Sequence, residues 1–421
     1  MKFVTTKWIR VLLPLSLLIV IVVGAVRARE SHASPERISG PAAAVPQSYF
    51  GMHIHRALTT TPWPELPFKV WRLWDTETTW ANLEPNKGEW HFDTLDGLVN
   101  LAAAHDVQVL LCFGRTPAWA SSDPAAGSGT RKGETAPPRA IEDWRNFVRT
   151  VVTRYRGRIH AYEIWNEPSL AEFYTGDVRT MVEMTREAAQ IIHSVDPSAL
   201  VVSPSATTTD GVGWLKAFLQ DGGAQFVDVI GYHFYVTPDE TEKIVALARA
   251  VKSAMADHNV KLPLWDTETG WAKPKVFATD YEASAYVARS LLLAWAIGIE
   301  RFYWYAWDNT NWVTLKLSTG NDFHANANAL AYKTIESWMT GERVESCSTD
   351  ANGTWVCHLT DLVTDSYIFW NPDRKSSFQC PVAPKGNGFW SVTDLGGKSV
   401  ETKQSSVLAD LQPRLMRFRP R

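Results

Sequence analysis

Three glutamates close apolar runs in this chain, each where a carboxylate could act at the edge of a core. The string "LWDTET" occurs at Leu73 to Thr78 and again at Leu264 to Thr269, and "YEIWNEP" spans Tyr162 to Pro168. Each run drives into a carboxylate: Glu77, Glu268 and Glu167. Two carboxyl groups facing each other can open an acetal: one protonates the leaving oxygen while the other attacks or stabilises the cationic carbon. Most glutamates are surface charges or partners of arginine. Glu167 departs furthest from that, because Asn166 and Pro168 bracket it where a strand must turn sharply. Strand order alone does not choose the pair among the three, and the "LWDTET" repeat reads either as equivalent positions in similar units or as chance.

A second constellation points to different chemistry. His53-x-His55 ends an early apolar run, an arrangement that metal-dependent amidohydrolases use, and His233 and Asp308 could extend it. The run "LVVSPS" lacks the histidine that would close the ligand set, so a metal centre is the lesser alternative and no metal is expected. Otherwise His53 and His55 line a sugar subsite or bond core carbonyls.

Eight apolar runs must position these groups. They are "YFGMHI" (Tyr49 to Ile54), "KVWRLW" (Lys69 to Trp74), "VQVLLCFG" (Val107 to Gly114), "IHAYEIW" (Ile159 to Trp165), "LVVSPS" (Leu200 to Ser205), "VDVIGYHFY" (Val227 to Tyr235), "LPLWDTE" (Leu262 to Glu268) and "RFYWYAW" (Arg301 to Trp307). Segments of helical spacing such as "TLDGLVNLAAAH" separate them. Eight near-continuously apolar strands alternating with helices predict an α/β fold, a (β/α)8 TIM barrel over residues 47–340, with the active groups at the C-terminal strand ends. A doubly wound sheet is the runner-up, but no glycine-rich phosphate loop follows the first strand. Beyond Gly341 short alternating runs with turn residues predict a small β-sandwich-like domain over 341–421. The Ser-, Pro- and Ala-rich segment 29–46 reads as a linker.

The N-terminus argues compartment. Lys2, Lys7 and Arg10 precede the apolar run Val11 to Val26, which reads as an export signal over residues 1–28. If it stays uncleaved, its length is near the roughly 17 residues of a minimal membrane span, so it would anchor the chain to the inner membrane. Either way the rest of the chain is expected outside the cytoplasm, periplasmic or extracellular. The net charge of -3 gives no footprint for nucleic acid. Cys347 and Cys357 flank the turn formers Asn352-Gly353 in "CSTDANGTWVC" and could meet across a hairpin as a disulfide. The 20 tryptophans are the compositional outlier, and a Trp face suits the C–H face of a sugar ring. Most must fill the core, but Trp119, Trp304 and Trp307, near strand ends, are candidate sugar platforms.

"WNEP" on the fourth run and "TE" followed by "GW" on the seventh resemble the retaining glycoside hydrolases of clan A. The stretch "ANLEPNKGEWHFDTLDGLVNLAAAHDVQVLLCFGRTPAWAS" (Ala81 to Ser121) is similar to glycoside hydrolase family 39, a family that includes β-xylosidases, α-L-iduronidases and exopolysaccharide-associated endoglycosidases. The resemblance implies Glu167 as acid/base and Glu268 as nucleophile, and removes Glu77 from the pair. It further implies that Asn166 bonds the sugar 2-hydroxyl, that His233 and Tyr235 orient the nucleophile, and that Arg72 keeps it ionised at neutral pH. His55 would line the substrate subsite. The expected function is retaining hydrolysis of a polysaccharide, endo-acting on an exopolysaccharide, without a cofactor; an exo-acting β-xylosidase-like enzyme is the alternative.

Overall fold

The computed structural model describes residues 36–127, 131–272, 276–309, 311–320, 322–361, 364–379, 388–404 and 406–420. The N-terminal export or anchor segment lies outside the described residues. Among the described residues no helix is long and apolar enough to cross a membrane.

The chain opens with strand β1 (Arg37–Ser39), β2 (Phe50–Met52), β3 (Val70–Leu73), helices α1 (Trp80–Leu83) and α2 (Asp93–Ala104), and β4 (Gln108–Cys112). It continues through α3 (Ile141–Arg154), β5 (Ala161–Glu163), α4 (Val178–Val195), β6 (Leu200–Val202), β7 (Ala206–Thr207), α5 (Gly211–Gln220) and β8 (Ile230–His233). Then come α6 (Lys243–Asp257), β9 (Leu264–Thr269), α7 (Asp280–Ala296), β10 (Arg301–Trp304), the short pair β11 (Ser318–Thr319) and β12 (His324–Ala325), and α8 (Ala327–Met339). Side chains cap several of these helices: Asp177 accepts from the Thr180 N–H at α4, Thr279 from Glu282 at α7, and Asn326 from Asn328 and Ala329 at α8.

Every one of the eight expected strands is present, and together with the two-residue β7 they form one nine-stranded parallel sheet in the order β6-β5-β4-β3-β2-β10-β9-β8-β7. A bridge from Val202 to Val229 joins the β6 end to the start of β8, so the ladder runs round the (β/α)8 barrel. Alternate residues of a strand share a face. Val70, Leu110, Ala161, Val202, Val229, Trp265 and Tyr303 therefore meet inside the barrel as one buried apolar layer. The opposite faces pack against the helices. Helix α7 is buried on every side described after its first turn, which explains why its sequence is apolar all round and not striped.

The C-terminal residues supply β13 (Arg343–Thr349), β14 (Trp355–Thr360), β15 (Asp365–Trp370), β16 (Ser376–Gln379), β17 (Gly388–Thr393), β18 (Ser399–Thr402), β19 (Ser406–Ala409) and β20 (Arg414–Pro420). Seven strands pair in the order β1-β13-β14-β15-β20-β17-β18, and β16 pairs with β19. Phe378 of β16 and Ala409 of β19 pack on Phe369, Trp390 and Met416, giving the second layer of a sandwich. Cys347 and Cys357 stand opposite each other in the β13–β14 register and are disulfide-bonded, with Gly353 supplying the positive φ of the turn between them.

One expectation is corrected here. The segment 29–46 is not all linker: Arg37–Ser39 forms β1 at the edge of the C-terminal sheet, paired with Ser346 to Ser348. The sheet also shares a core with the barrel, since Val344, Trp355, Ile368 and Trp370 belong to the same buried cluster as the helices. Trp370 Nε1 donates to Glu242, which in turn accepts from the buried Arg289 of α7, so ordered polar contacts cross the same junction.

Candidate active site

The two copies of "LWDTET" occupy different places. Leu73 is the last residue of β3, so the first copy turns out of the sheet, whereas the second copy is β9 itself from Leu264 to Thr269. The reading of the repeat as equivalent positions is therefore corrected. In the first copy Asp75 and Glu77 sit at φ 58° and 59°, and Glu167 beyond β5 sits at φ 45°. Non-glycine residues in this left-handed region are strained, and such strain collects at functional sites. All three carboxylates line one cleft of ≈ 940 Å³ at the C-terminal strand ends, together with Glu268, Asn166 and His55.

Strand alternation builds the floor of that cleft. Two residues beyond the apolar layer stand Arg72 on β3, Cys112 on β4 and Glu163 on β5, and four beyond Val229 stands His233 on β8, all inside the barrel and without solvent exposure. Arg72 is the hub. Its Nε and Nη2 donate to Glu163 at 2.5 and 3.0 Å, its Nη1 to Glu268 at 2.7 Å, and Nη2 again to the Asn166 side-chain oxygen at 2.8 Å. The Tyr235 hydroxyl donates to the other Glu268 oxygen at 3.0 Å. Glu268 thus has a donor on each oxygen. Gly270, just after β9, has no room for a Cβ against the Tyr305 carbonyl, and this close approach brings Tyr305 beside the site.

His233 departs from its expected role. Its Nδ1 bonds Glu167 at 2.9 Å, so it holds the acid/base candidate, not the nucleophile. Burial disfavours a charged imidazole, but the facing Glu268 and Glu167 outweigh it and raise the His233 pKa above its ordinary value. Burial pushes the Glu268 pKa up to about 7, against the pull of His233 and Arg72, with Glu167 and Asp75 adding to the rise. Arg72 acts on Glu268 in the expected direction, favouring the ionised form against burial. Burial also keeps the Tyr235 phenol protonated far above neutral pH.

The three aromatic platforms are corrected. Trp304 is fully buried and Trp307 nearly so, and Trp119 spends its Nε1 on the Glu84 carbonyl while Lys87 covers its ring; none lines the cleft. The aromatic walls are Trp74, Phe173, Tyr305 and Trp312. Trp74 carries the Arg115 guanidinium 4.9 Å over its ring, and Arg115 bonds Glu134 at 3.1 Å. Tyr305 donates to Asp75 at 2.8 Å and accepts from Asn309 at 2.9 Å. Alternation from Tyr303 points Tyr305 inward and Trp304 outward, a signal present in the sequence. Glu163 was legible in the same way, two residues after inward Ala161.

The metal alternative is not assembled. His53 Nε2 bonds the Thr267 carbonyl at 3.1 Å, and Asp308 is taken up by the backbone N–H groups of His55 and Arg56 and the Thr61 hydroxyl. Among the described residues, the group whose potential ligand atoms come within 4.8 Å of one another is Glu167, His233 and Glu268. Arg72 already places a positive charge against Glu268, and His233 Nδ1 is engaged with Glu167, so a cation there would meet unfavourable electrostatics.

Comparisons with known proteins agree with this geometry. A family model described as Glycosyl hydrolases family 39 matches residues 73–296, just over half of the chain. The chain is 28% identical over 168 residues to a β-xylosidase of Caldicellulosiruptor saccharolyticus, covering 34% of each protein. It is 32% identical over 123 residues to endo-1,4-beta-xylanase 2 of Claviceps purpurea, covering 28% of this chain and 35% of that protein. The match thus spans about a third of these curated relatives. In structure it is similar to a family 39 glycoside hydrolase of Bacteroides cellulosilyticus WH2, with TM-score 0.70 and 17% identity over 88% of this chain and 81% of that one. It is also similar to a monomeric β-xylosidase of Caulobacter crescentus CB15, with TM-score 0.64 and 16% identity over 91% and 98%. At such identities these structures establish the (β/α)8 fold, while the matched sequence from the first "LWDTET" to the end of α7 establishes the lineage: the chain belongs to glycosyl hydrolase family 39.

Proposed function

We propose that the protein hydrolyses a glycosidic bond within a polysaccharide with retention of configuration. Glu268 attacks the anomeric carbon while Glu167 gives its proton to the leaving oxygen, forming a glycosyl-enzyme ester. Glu167 then takes a proton from water, whose oxygen attacks the same carbon and releases Glu268. The observation that carries this reading is the spacing of the carboxylates: an oxygen of each lies within 4.8 Å of the other. Retaining enzymes hold the pair about 5 to 5.5 Å apart, whereas inverting ones need about 6.5 to 9.5 Å to admit water.

Endo action on a polymer, an exopolysaccharide of the cell's own envelope, is supported by the size of the cleft and by Leu170 and Trp312, exposed apolar side chains along its wall. The export segment supports a substrate outside the cytoplasm, with the chain membrane-held if that segment is retained. An exo-acting β-xylosidase is the second reading, favoured by the name of the Caldicellulosiruptor relative.

The test is the size distribution of products, with reducing ends counted, from a panel of xylans and bacterial exopolysaccharides treated with the full chain. Glu268→Gln is expected to lower kcat by at least about 10⁴-fold and Glu167→Gln by roughly 10²- to 10⁴-fold. Oligosaccharides as first products support endo action, monosaccharides the exo reading. Parental rates in both variants would show that another pair does the chemistry.

A further inference from the structure

Glu163 ends β5 without solvent exposure and meets the two cations of the site at once. Its carboxylate grips Arg72 through Nε at 2.5 Å and Nη2 at 3.0 Å, the parallel fork that fixes a guanidinium in one orientation. That grip leaves Nη1 aimed at Glu268 and the second Nη2 hydrogen at Asn166. On its other side, Glu163 Oε1 lies 4.0 Å from His233 Nε2, the ring nitrogen with no hydrogen-bond partner, while Nδ1 holds Glu167. One anion therefore backs the partners of both reacting carboxylates and touches neither.

We infer that Glu163 is a positioning residue of the reaction, a buried anion that clamps Arg72 toward Glu268 and Asn166 and backs His233 on the side away from Glu167. The inference rests on the two-glutamate reading of the site. An arginine freed from this fork keeps its charge but loses the constraint on its terminal nitrogens, and a buried cation stripped of one counter-anion draws harder on those that remain. The groups facing His233 are Glu167, Glu268, Glu163, Asp266, Arg72 and His53. Those facing Glu268 are His233, Arg72, Glu167, Asp75, Cys112, Tyr235 and Tyr305. Replacing Glu163 by glutamine removes one negative charge from this set, so both His233 and Glu268 must titrate at lower pH.

The test has two arms on the full chain. In the first, His233 and Glu268 are titrated by NMR in protein carrying nitrogen-15 histidine and carbon-13 glutamate, in the parent and in Glu163→Gln. Both midpoints are expected to fall by about one pH unit or more; unchanged midpoints overturn the inference. In the second, kcat and KM are followed against pH on the polysaccharide that the parent cleaves. Glu163→Gln is expected to lose roughly 10²-fold in kcat with KM nearly constant and the acid limb moved down. Glu163→Asp, charged but one methylene short, should return the limb while recovering kcat only in part. A residue of merely structural importance would lower the active fraction and leave the limb in place. Should Glu163→Gln fail to fold, Glu163→Asp decides, with rates normalised to the titrated fraction of active sites: parental kcat per active site overturns the clamp, and a reduced kcat per active site with KM nearly constant supports it. A parent that cleaves no glycan counts against the glycosidase reading, and the NMR arm still reads the clamp.

Discussion

Two layers of side chains fill the barrel, set on the same strands two to four residues apart. The lower layer is apolar: Val70, Leu110, Ala161, Val202, Val229, Trp265 and Tyr303. One pleat above it stand Arg72, Cys112 and Glu163, with His233 a pleat further along its own strand and Glu268 at the rim. The lower layer gains from burial in proportion to apolar area and tolerates exchange among hydrophobic residues of similar volume. The upper layer has ions out of water, each tolerable only because the others are there. The comparison teaches that the strand pleat alone converts a packing core into a reactive site. The apolar floor is what holds the charged layer in register.

Breaking the upper layer should have the largest effect. Arg72→Met leaves Glu163 and Glu268 facing each other without the guanidinium, and a stability loss of roughly 3–5 kcal/mol is expected in urea unfolding at pH 7.5. A loss below about 1 kcal/mol would show that the charged groups are not interlocked. Breaking the lower layer sharpens the contrast. Leu110→Ala should cost about 2–5 kcal/mol through the cavity it leaves, with the pH dependence of kcat unmoved. A shifted acid limb in that variant would mean that the layers do not act separately.

The second "LWDTET" carries another buried carboxylate, which separates charge burial from catalysis. Burial pushes Asp266 up to about 7, against the Thr269 hydroxyl and His233, and its Oδ2 has no hydrogen-bond partner. A carboxyl group raised above its unfolded value contributes stability that is fully present below pH ~4 and is lost as pH rises through about 7. The melting temperature of the parent should therefore fall from pH 5 to pH 8. Asp266→Asn should add roughly 1–3 kcal/mol at pH 8 and only about a third of that at pH 5, where the unfolded carboxyl is ionised and the folded one is not. Equal effects at both pH values would show that ionisation of Asp266 is not the cause.

The sequence made the barrel legible because eight apolar runs at helix-length intervals admit few other folds, and it made Glu167 and Glu268 legible because both lie at strand ends in short recognisable motifs. The turn at Glu167 was also readable, in the positive φ that Asn166 and Pro168 frame. What escaped depended on direction. Trp304 and Trp307 sit in an aromatic-rich run, but the pleat sends Tyr303 and Tyr305 inward and Trp304 outward, so counting by twos removes Trp304; Trp307 lies three residues past the end of β10, where the strand period no longer applies, and packs in the outer core. Glu163 escaped because an apolar run ending in two glutamates draws attention to the last. The His233 partner could not be read at all: bonding to Glu167 and not Glu268 depends on how far the chain travels beyond β5 before turning. β1 was hidden by composition, since three residues pairing at a sheet edge need no apolar run of their own.

The smallest expected effect concerns the cleft wall, above both layers. Trp312 is 43% exposed and stands edge-on to Tyr235 at 5.4 Å and to Tyr305 at 5.6 Å. The two tyrosines fix one edge of the indole, leaving its exposed part for a ligand in the cleft. Trp312→Ala should raise KM by about 3- to 10-fold with kcat almost unchanged, because a stacking contact made equally in the ground and transition states is uniform binding. The substrate dependence of that rise carries the information. A rise on polysaccharide that is absent on a short aryl β-xyloside places Trp312 beyond the reacting sugar, as endo action requires. An equal rise on both places it at the reacting sugar itself and favours the exo reading. A fall in kcat on either substrate would instead show that the indole braces Tyr235, and through it Glu268, which would bring the cleft wall into the charged layer below it.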